Sequence, residues 1–223
     1  MTIIVGDIHG ELEIVKDLLQ DKNQSIVWTG DFVDSFKKNI SEQIEILDLI
    51  LEALETRDNV TVLVANHEYS YINERFRASG FTYEMAYAMA ERKPRILRSF
   101  KWYTVVHGYL VTHAGASALW LPQKTMDRNE IVDFIEKAPV DKLAQIGWAR
   151  GGDSPVGGIL WCDTDEFRPV PGVKQVFGHS NWRNPTQSPG IWEIFPDNFN
   201  IDCFPREREV LELSELGAKI ITF

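Results

Sequence analysis

Three features of the sequence predict an α/β fold. Short apolar runs alternate with helical patterns through the first 65 residues, the order that gives parallel strands with helical crossovers. Several of those runs end in turns that pair glycine with aspartate or histidine. The C-terminal part then changes to short β-like runs joined by turns, which read as antiparallel. No repeat, low-complexity tract or linker divides the chain, so one domain spanning residues 1–223 is expected.

Residues 2–5, Thr-Ile-Ile-Val, are β-branched and end at Gly6-Asp7-Ile8-His9-Gly10, which reads as a strand closed by a sharp turn. Residues 11–22 carry Leu12, Val15, Leu18 and Leu19 at helical spacing. Residues 25–29 predict a second strand, ending in Gly30-Asp31-Phe32-Val33-Asp34. A helix to about residue 56 follows, with Ser41 as its expected cap and Ile44, Leu47, Ile50, Leu51 and Leu54 facing inward. Residues 60–64 predict a third strand, ending in Ala65-Asn66-His67-Glu68.

Residues 69–101 read as mostly helical, with an aromatic cluster at 81–87. A hairpin is expected over 103–106 and 109–112, with His107 in its turn, and its second strand ends in His113-Ala114-Gly115. Asp127 and Glu130 have the spacing of a capping box for a helix to Lys137, and residues 139–148 predict another helix. The stretch 150–172 is rich in Gly, Pro and Asp, but its Ile159, Leu160, Trp161 and Phe167 predict an ordered loop. A strand over 173–177 ends in Gly178-His179, and further strands are expected at 191–195, 200–203, 209–213 and 219–223.

Composition narrows the function. The chain is 44% hydrophobic and 25% charged, an ordinary globular mix. Its net charge of −10 argues against a general nucleic-acid surface. Two distant cysteines, Cys162 and Cys203, form no disulfide framework and point to a reducing, cytoplasmic setting. The N-terminus lacks the pattern of a signal peptide. No apolar run approaches the ~18 residues of a membrane span. The oligomeric state has no readable signal.

The chemistry gathers at five strand ends, which carry Asp7 with His9, Asp31, Asn66, His113 and His179. Any one of these turns alone reads as a tight turn with a capping Asp. Four of the five histidines lie in such turns, however, and in parallel α/β sheets ligands bind at the carboxyl ends of strands. Carboxylate, amide and imidazole donors without cysteine suit Mn²⁺ first, with Fe or Zn²⁺ as alternatives, better than Ca²⁺ or a structural zinc. Two such ions about 3.5–4 Å apart can clamp a phosphate, and Asp31 is the natural bridge between them. His67 adjoins Asn66 and is free for another role, donation of a proton to a leaving group. Asp34 either caps its turn or orients His67.

These motifs, in this order, resemble those of the calcineurin-like metallophosphoesterases. The likeness is strongest to the phosphoprotein-phosphatase branch, which includes bacteriophage-lambda-type and bacterial Ser/Thr phosphatases and symmetrical diadenosine tetraphosphatases. Leu160-Trp161-Cys162-Asp163 resembles the Leu-Trp-Ser-Asp stretch of that branch. The resemblance implies a central β-sandwich of mixed sheets flanked by helices, and a site for two divalent ions. Asp7, His9 and Asp31 would hold one ion, and Asp31, Asn66, His113 and His179 the other. His67, paired with Asp34, would be the general acid for in-line attack of a metal-bound water on phosphorus.

The departures bear on substrate. The family usually continues its second motif with an arginine that grips phosphate, whereas Asp34 is followed by Ser35 and Phe36. Ala65 stands where the third motif usually has glycine. Arg150 is the expected second phosphate-binding residue, Arg183 a weaker one, and Lys37 and Lys38 read as solvated charge. Asp163 is expected to order its loop rather than bind metal. The leading expectation is a phosphatase acting on a phosphorylated protein or a small phosphate ester. A dinucleoside polyphosphate hydrolase or phosphodiesterase is the alternative, and a catalytically weakened metal-binding regulatory module the third.

Overall fold

The computed structural model describes residues 1–181, 190–203 and 207–223. Strands β1 (Thr2–Val5), β2 (Ser25–Trp28) and β3 (Val60–Val62) alternate with helices α1 (Leu12–Gln20) and α2 (Ile40–Thr56). β1 pairs β2, and β2 pairs β3, both in parallel, as the alternation predicts. α2 is capped by Asn39, not Ser41. The Asn39 side chain accepts from the Glu42 N–H, Glu42 reaches back to the Asn39 N–H, and Ser41 donates to Asn39. An asparagine two residues upstream thus completes a capping box that Ser41 only supports.

The helical stretch resolves into α3 (Asn66–Ile72), a 3₁₀ turn (Glu74–Phe76), α4 (Tyr83–Met89) and α5 (Lys93–Ser99). Next come the hairpin β4 (Thr104–Val106) and β5 (Tyr109–Val111), then α6 (Arg128–Lys137), capped as expected by Asp127 with Glu130. The helix expected over 139–148 shrinks to α7 (Val140–Leu143), followed by a 3₁₀ turn at Trp148–Arg150. Past Ala144 the backbone bonds to the following loop instead, with the Gly158 N–H on the Gln145 carbonyl (2.8 Å) and the Trp148 N–H on the Ser154 carbonyl (2.8 Å). Residues 150–172 are an ordered loop, with Val156, Ile159, Leu160, Trp161 and Phe167 buried. The remaining strands are β6 (Gln175–Phe177), β7 (Trp192–Phe195), β8 (Asn198–Asn200), β9 (Glu209–Ser214) and β10 (Gly217–Thr222).

Two five-stranded sheets result, ordered β10-β9-β1-β2-β3 and β4-β5-β6-β8-β7. Alternation sorts the side chains. Ile4, Val27, Leu211 and Leu213 of the first sheet meet Tyr109, Val111 and Val176 of the second in one apolar cluster between the sheets. Val5, Ile26, Trp28, Val60 and Val62 face away, into a core with Ile46, Leu47, Ile50 and Leu51 of α2. Leu110 and Phe177 do the same under Ile131 and Ile135 of α6. The architecture is a sandwich of two mixed sheets with helices outside, as expected.

The tail corrects one expectation. β7–β8 and β9–β10 are antiparallel, but β8 lies parallel to β6 and is displaced to Asn198–Asn200 from the expected 200–203. β8 therefore ends at the same sheet edge as β5 and β6, and Asp202 emerges there.

Candidate metal centre and active site

The turns after β1, β2, β5, β6 and β8, with the start of α3, meet at one end of the sandwich. They line a cleft of about 490 Å³ that holds His9, Asp31, Asn66, His67, His179 and Asp202. Four of the site residues have left-handed backbones: His9 (φ 42°), Asp31 (54°), Asp34 (62°) and His179 (70°). Non-glycine residues adopt this region at a cost of about 1–3 kcal/mol each and persist there only when the surroundings hold them. Two glycines make the approach of the turns possible. A Cβ at Gly178 would lie 2.2 Å from Asp7 Oδ1, and one at Gly30 would lie 2.3 Å from the Ala65 Cβ. The second contact explains how this chain takes alanine in its third motif.

Each donor is aimed by its neighbours. His9 Nδ1 donates to the Val33 carbonyl (3.1 Å) and His113 Nδ1 to the Thr29 carbonyl (2.9 Å), so both present Nε2 with a lone pair to the cleft. Asp31 Oδ2 is 3.9 Å from His9 Nε2, 3.9 Å from His67 Nε2 and 3.6 Å from His113 Nε2. His179 Nδ1 is 3.2 Å from His113 Nε2. Two groups follow, each of a size to hold an ion: His9, Asp31 and His67, and Asp31, His113 and His179. Asp31 belongs to both.

Asn66 completes the second group. Its amide lies 2.7 Å from His113 Nε2 and 3.1 Å from His179 Nδ1. With the amide nitrogen turned inward it donates to both rings and reaches both Asp31 oxygens at 3.2 and 3.3 Å. With the oxygen inward, four lone pairs converge, an arrangement that a cation satisfies. Asp7 is fully buried beside this group. Its Oδ2 accepts the His179 N–H (2.8 Å), its Oδ1 accepts from the Thr29 hydroxyl (3.2 Å), and His113 Nδ1 is 4.0 Å away. It belongs to neither three-residue group.

The electrostatics fit a divalent ion. Burial, with help from His67, pushes His9 down to about 3, and burial pushes His113 down to about 3 as well. His179 is held well below its ordinary value by burial and by His113. The imidazoles are thus neutral, the form that binds metal. Burial raises Asp7 and Asp31 well above the carboxylate range, with Asp202 adding to the first and Asp7 to the second. Crowded carboxylates among neutral imidazoles are what a nearby cation stabilises.

His67 and Asp34 are paired as expected: His67 Nδ1 donates to Asp34 Oδ2 at 2.8 Å. His67 Nε2 therefore faces the cleft. Arg150 lines the cleft too, but it is engaged. Its Nε meets Asp163 Oδ2 at 2.8 Å, and one Nη2 donates to the His179 carbonyl (3.2 Å) and Ser180 Oγ (3.0 Å). Asp163 thus orders its loop, as expected. Lys38 pairs with Glu11 (3.3 Å), while Lys37 is exposed and lines the cleft beside Phe36. His107 sits in the hairpin turn, paired with Glu215 at 2.8 Å. Arg183 lies outside the described residues.

Three contributors escape the sequence reading. Glu68 is fully buried and accepts the backbone N–H groups of Asp31 (3.0 Å), Phe32 (2.7 Å) and Val33 (3.2 Å). It closes the third motif in the sequence, but nothing there points to this role. Asp202 is hidden by the displaced strand, and Tyr71 by its place in an aromatic-rich helix.

The chain belongs to the calcineurin-like phosphoesterase family, whose model matches residues 2–203. Members are metal-dependent hydrolases of phosphoric esters, and the fold and the two His/Asp groups agree with that class. A cold-active protein-tyrosine phosphatase from a psychrophilic Shewanella species superposes with a TM-score of 0.61 at 16% identity, over 99% of this chain and 80% of that one. A protein serine/threonine phosphatase from Saccharomyces cerevisiae gives 0.59 at 16% identity, over 100% and 79%. No curated protein matches the sequence.

Proposed function

We propose that the chain is a phosphatase that hydrolyses phosphate monoesters, of a phosphoprotein or of a small molecule. One observation carries the reading: Asp31, which lines the cleft with His9, His67 and His179, is shared by two donor groups. In this reading Asp7, His9 and Asp31 serve one ion, and Asp31, Asn66, His113 and His179 the other, with Mn²⁺ the first candidate and Fe or Zn²⁺ the alternatives. Bound divalent ions supply positive charge at the phosphate oxygens and make water more acidic. Asp34 fixes the tautomer of His67, and protonated Nε2 gives its proton to the leaving oxygen. Arg150 keeps both Nη1 hydrogens outside its ties to Asp163, His179 and Ser180, which suits a phosphate contact. Buried, unbridged Cys162 and Cys203 suit a cytoplasmic setting.

A second reading is favoured by Ser35. It donates its N–H to Gln43 (3.0 Å) and offers no cation where the family's arginine would grip a terminal phosphate. A dinucleoside polyphosphate or a diester needs that grip less. Rates on phosphoserine, phosphothreonine and phosphotyrosine peptides and on diadenosine tetraphosphate decide between the two. Monoester turnover at least tenfold faster supports the first, and the reverse order the second.

A further inference from the structure

We infer that Tyr71 is a positioning residue for the proton donor, holding Asp34 and through it His67 in one hydrogen-bonded chain with the backbone of Thr82. This role rests on the general-acid reading of His67. Tyr71 and His67 are four residues apart on α3 and so lie on one face. The Tyr71 hydroxyl donates to Asp34 Oδ1, while the other carboxylate oxygen accepts from His67 Nδ1 at 2.8 Å. The hydroxyl in turn accepts the Thr82 N–H at 3.2 Å. The chain runs, without a gap, from Thr82 through Tyr71 and Asp34 to His67.

The Tyr71, Asp34 and His67 side chains are buried, while exposed Thr82 contributes only its backbone N–H. The ring is clamped as well: Tyr71 stacks on Phe81 at 4.8 Å between centroids and 17° between planes. Gly80 packs on Asp34 itself, where a Cβ would lie 3.0 Å from the Asp34 Cβ. The Thr82 N–H occupies the hydroxyl oxygen, which leaves the hydroxyl proton in need of an acceptor. That proton goes to the carboxylate that orients His67. Asp34 is thus fixed on both oxygens, which fixes the direction of His67 Nε2.

The test separates proton donation from everything else the site does. An alkyl phosphate needs a proton on its leaving oxygen, while 2,4-dinitrophenyl phosphate does not. With the Mn²⁺-loaded protein, Tyr71→Phe is expected to lower kcat on the alkyl ester about tenfold and to leave kcat on the dinitrophenyl ester, KM and metal content unchanged. The imidazole N–H resonance of His67, observed by proton NMR without turnover, is expected to shift in the variant. An equal fall on both esters, or an unmoved ratio with an unmoved resonance, overturns the role. His67→Ala is the control: if it too leaves the ratio unmoved, the general-acid reading fails, and the Tyr71 role with it. Should Tyr71→Phe not fold, 3-fluorotyrosine at position 71 keeps the ring and the bond. Its altered hydroxyl must then shift the His67 N–H resonance through Asp34, and an unmoved resonance contradicts the inference.

Discussion

Glu68 lies under the turn that carries Asp31 and accepts three of its backbone N–H groups. Glu68→Ala strands those donors in a buried turn. Each costs about 1–3 kcal/mol, so a loss of about 3 kcal/mol or more is expected in urea denaturation, along with weaker metal binding. A cost below about 1 kcal/mol would mean that the turn holds itself. His67→Ala is expected to lower kcat on poor leaving groups by about 10²–10⁴-fold with metal content unchanged. Loss of one ion per chain would instead make His67 a ligand, as its grouping with His9 and Asp31 allows. Acid acts through the carboxylates. His9 and His113, at about 3, have no proton to shed on binding at neutral pH. Asp7 and Asp31 are raised above their ordinary 3.8, so protons compete with metal for them at a higher pH than for ordinary carboxylates. Calorimetry in buffers of differing ionisation heat is expected to show more protons released per Mn²⁺ bound as pH falls.

The elements that carry the site were the most legible. β1 has the bounds that its β-branched run predicts and β6 ends at the expected residue, while β2 and β5 stop one residue short and β3 two. Apolar period fixes a strand's face, and a polar turn fixes its end. The 139–148 helix and the 200–203 strand were misread because bonding of residues 145 and 148 to the following loop and pairing to β6 override local pattern. The roles of Glu68 and Tyr71 were illegible for a related reason: the groups that they hold at the site lie 35–37 residues upstream. The segment after β2 bears on specificity. Lys37 is an exposed cleft cation and Phe36, 81% exposed, stands beside it. Lys37→Ala is expected to raise KM for a phosphate ester about fivefold at low salt, an effect that added salt erases. An unchanged KM would leave phosphate binding to Arg150 and the metals.

For the molecule as a whole, the sandwich brings the carboxyl ends of parallel strands from two sheets to one edge. Three strands come from the second sheet and two from the first, with α3 between them. Buried like charges and left-handed turns make that edge costly in the absence of cations. Metal binding therefore stabilises the fold. At a free Mn²⁺ concentration about 100-fold above Kd, one ion adds about 2.7 kcal/mol, which for a chain of this size raises Tm by roughly 5–10 °C. The central claim, that this edge is a metal-dependent phosphatase site, is tested most directly by phosphate release from p-nitrophenyl phosphate by chelator-stripped protein, with and without added Mn²⁺, in the wild type and in Asp31→Asn. Turnover that appears only with Mn²⁺ and is lost in Asp31→Asn is the predicted result. Equal turnover with and without metal, or an active Asp31→Asn, would contradict it.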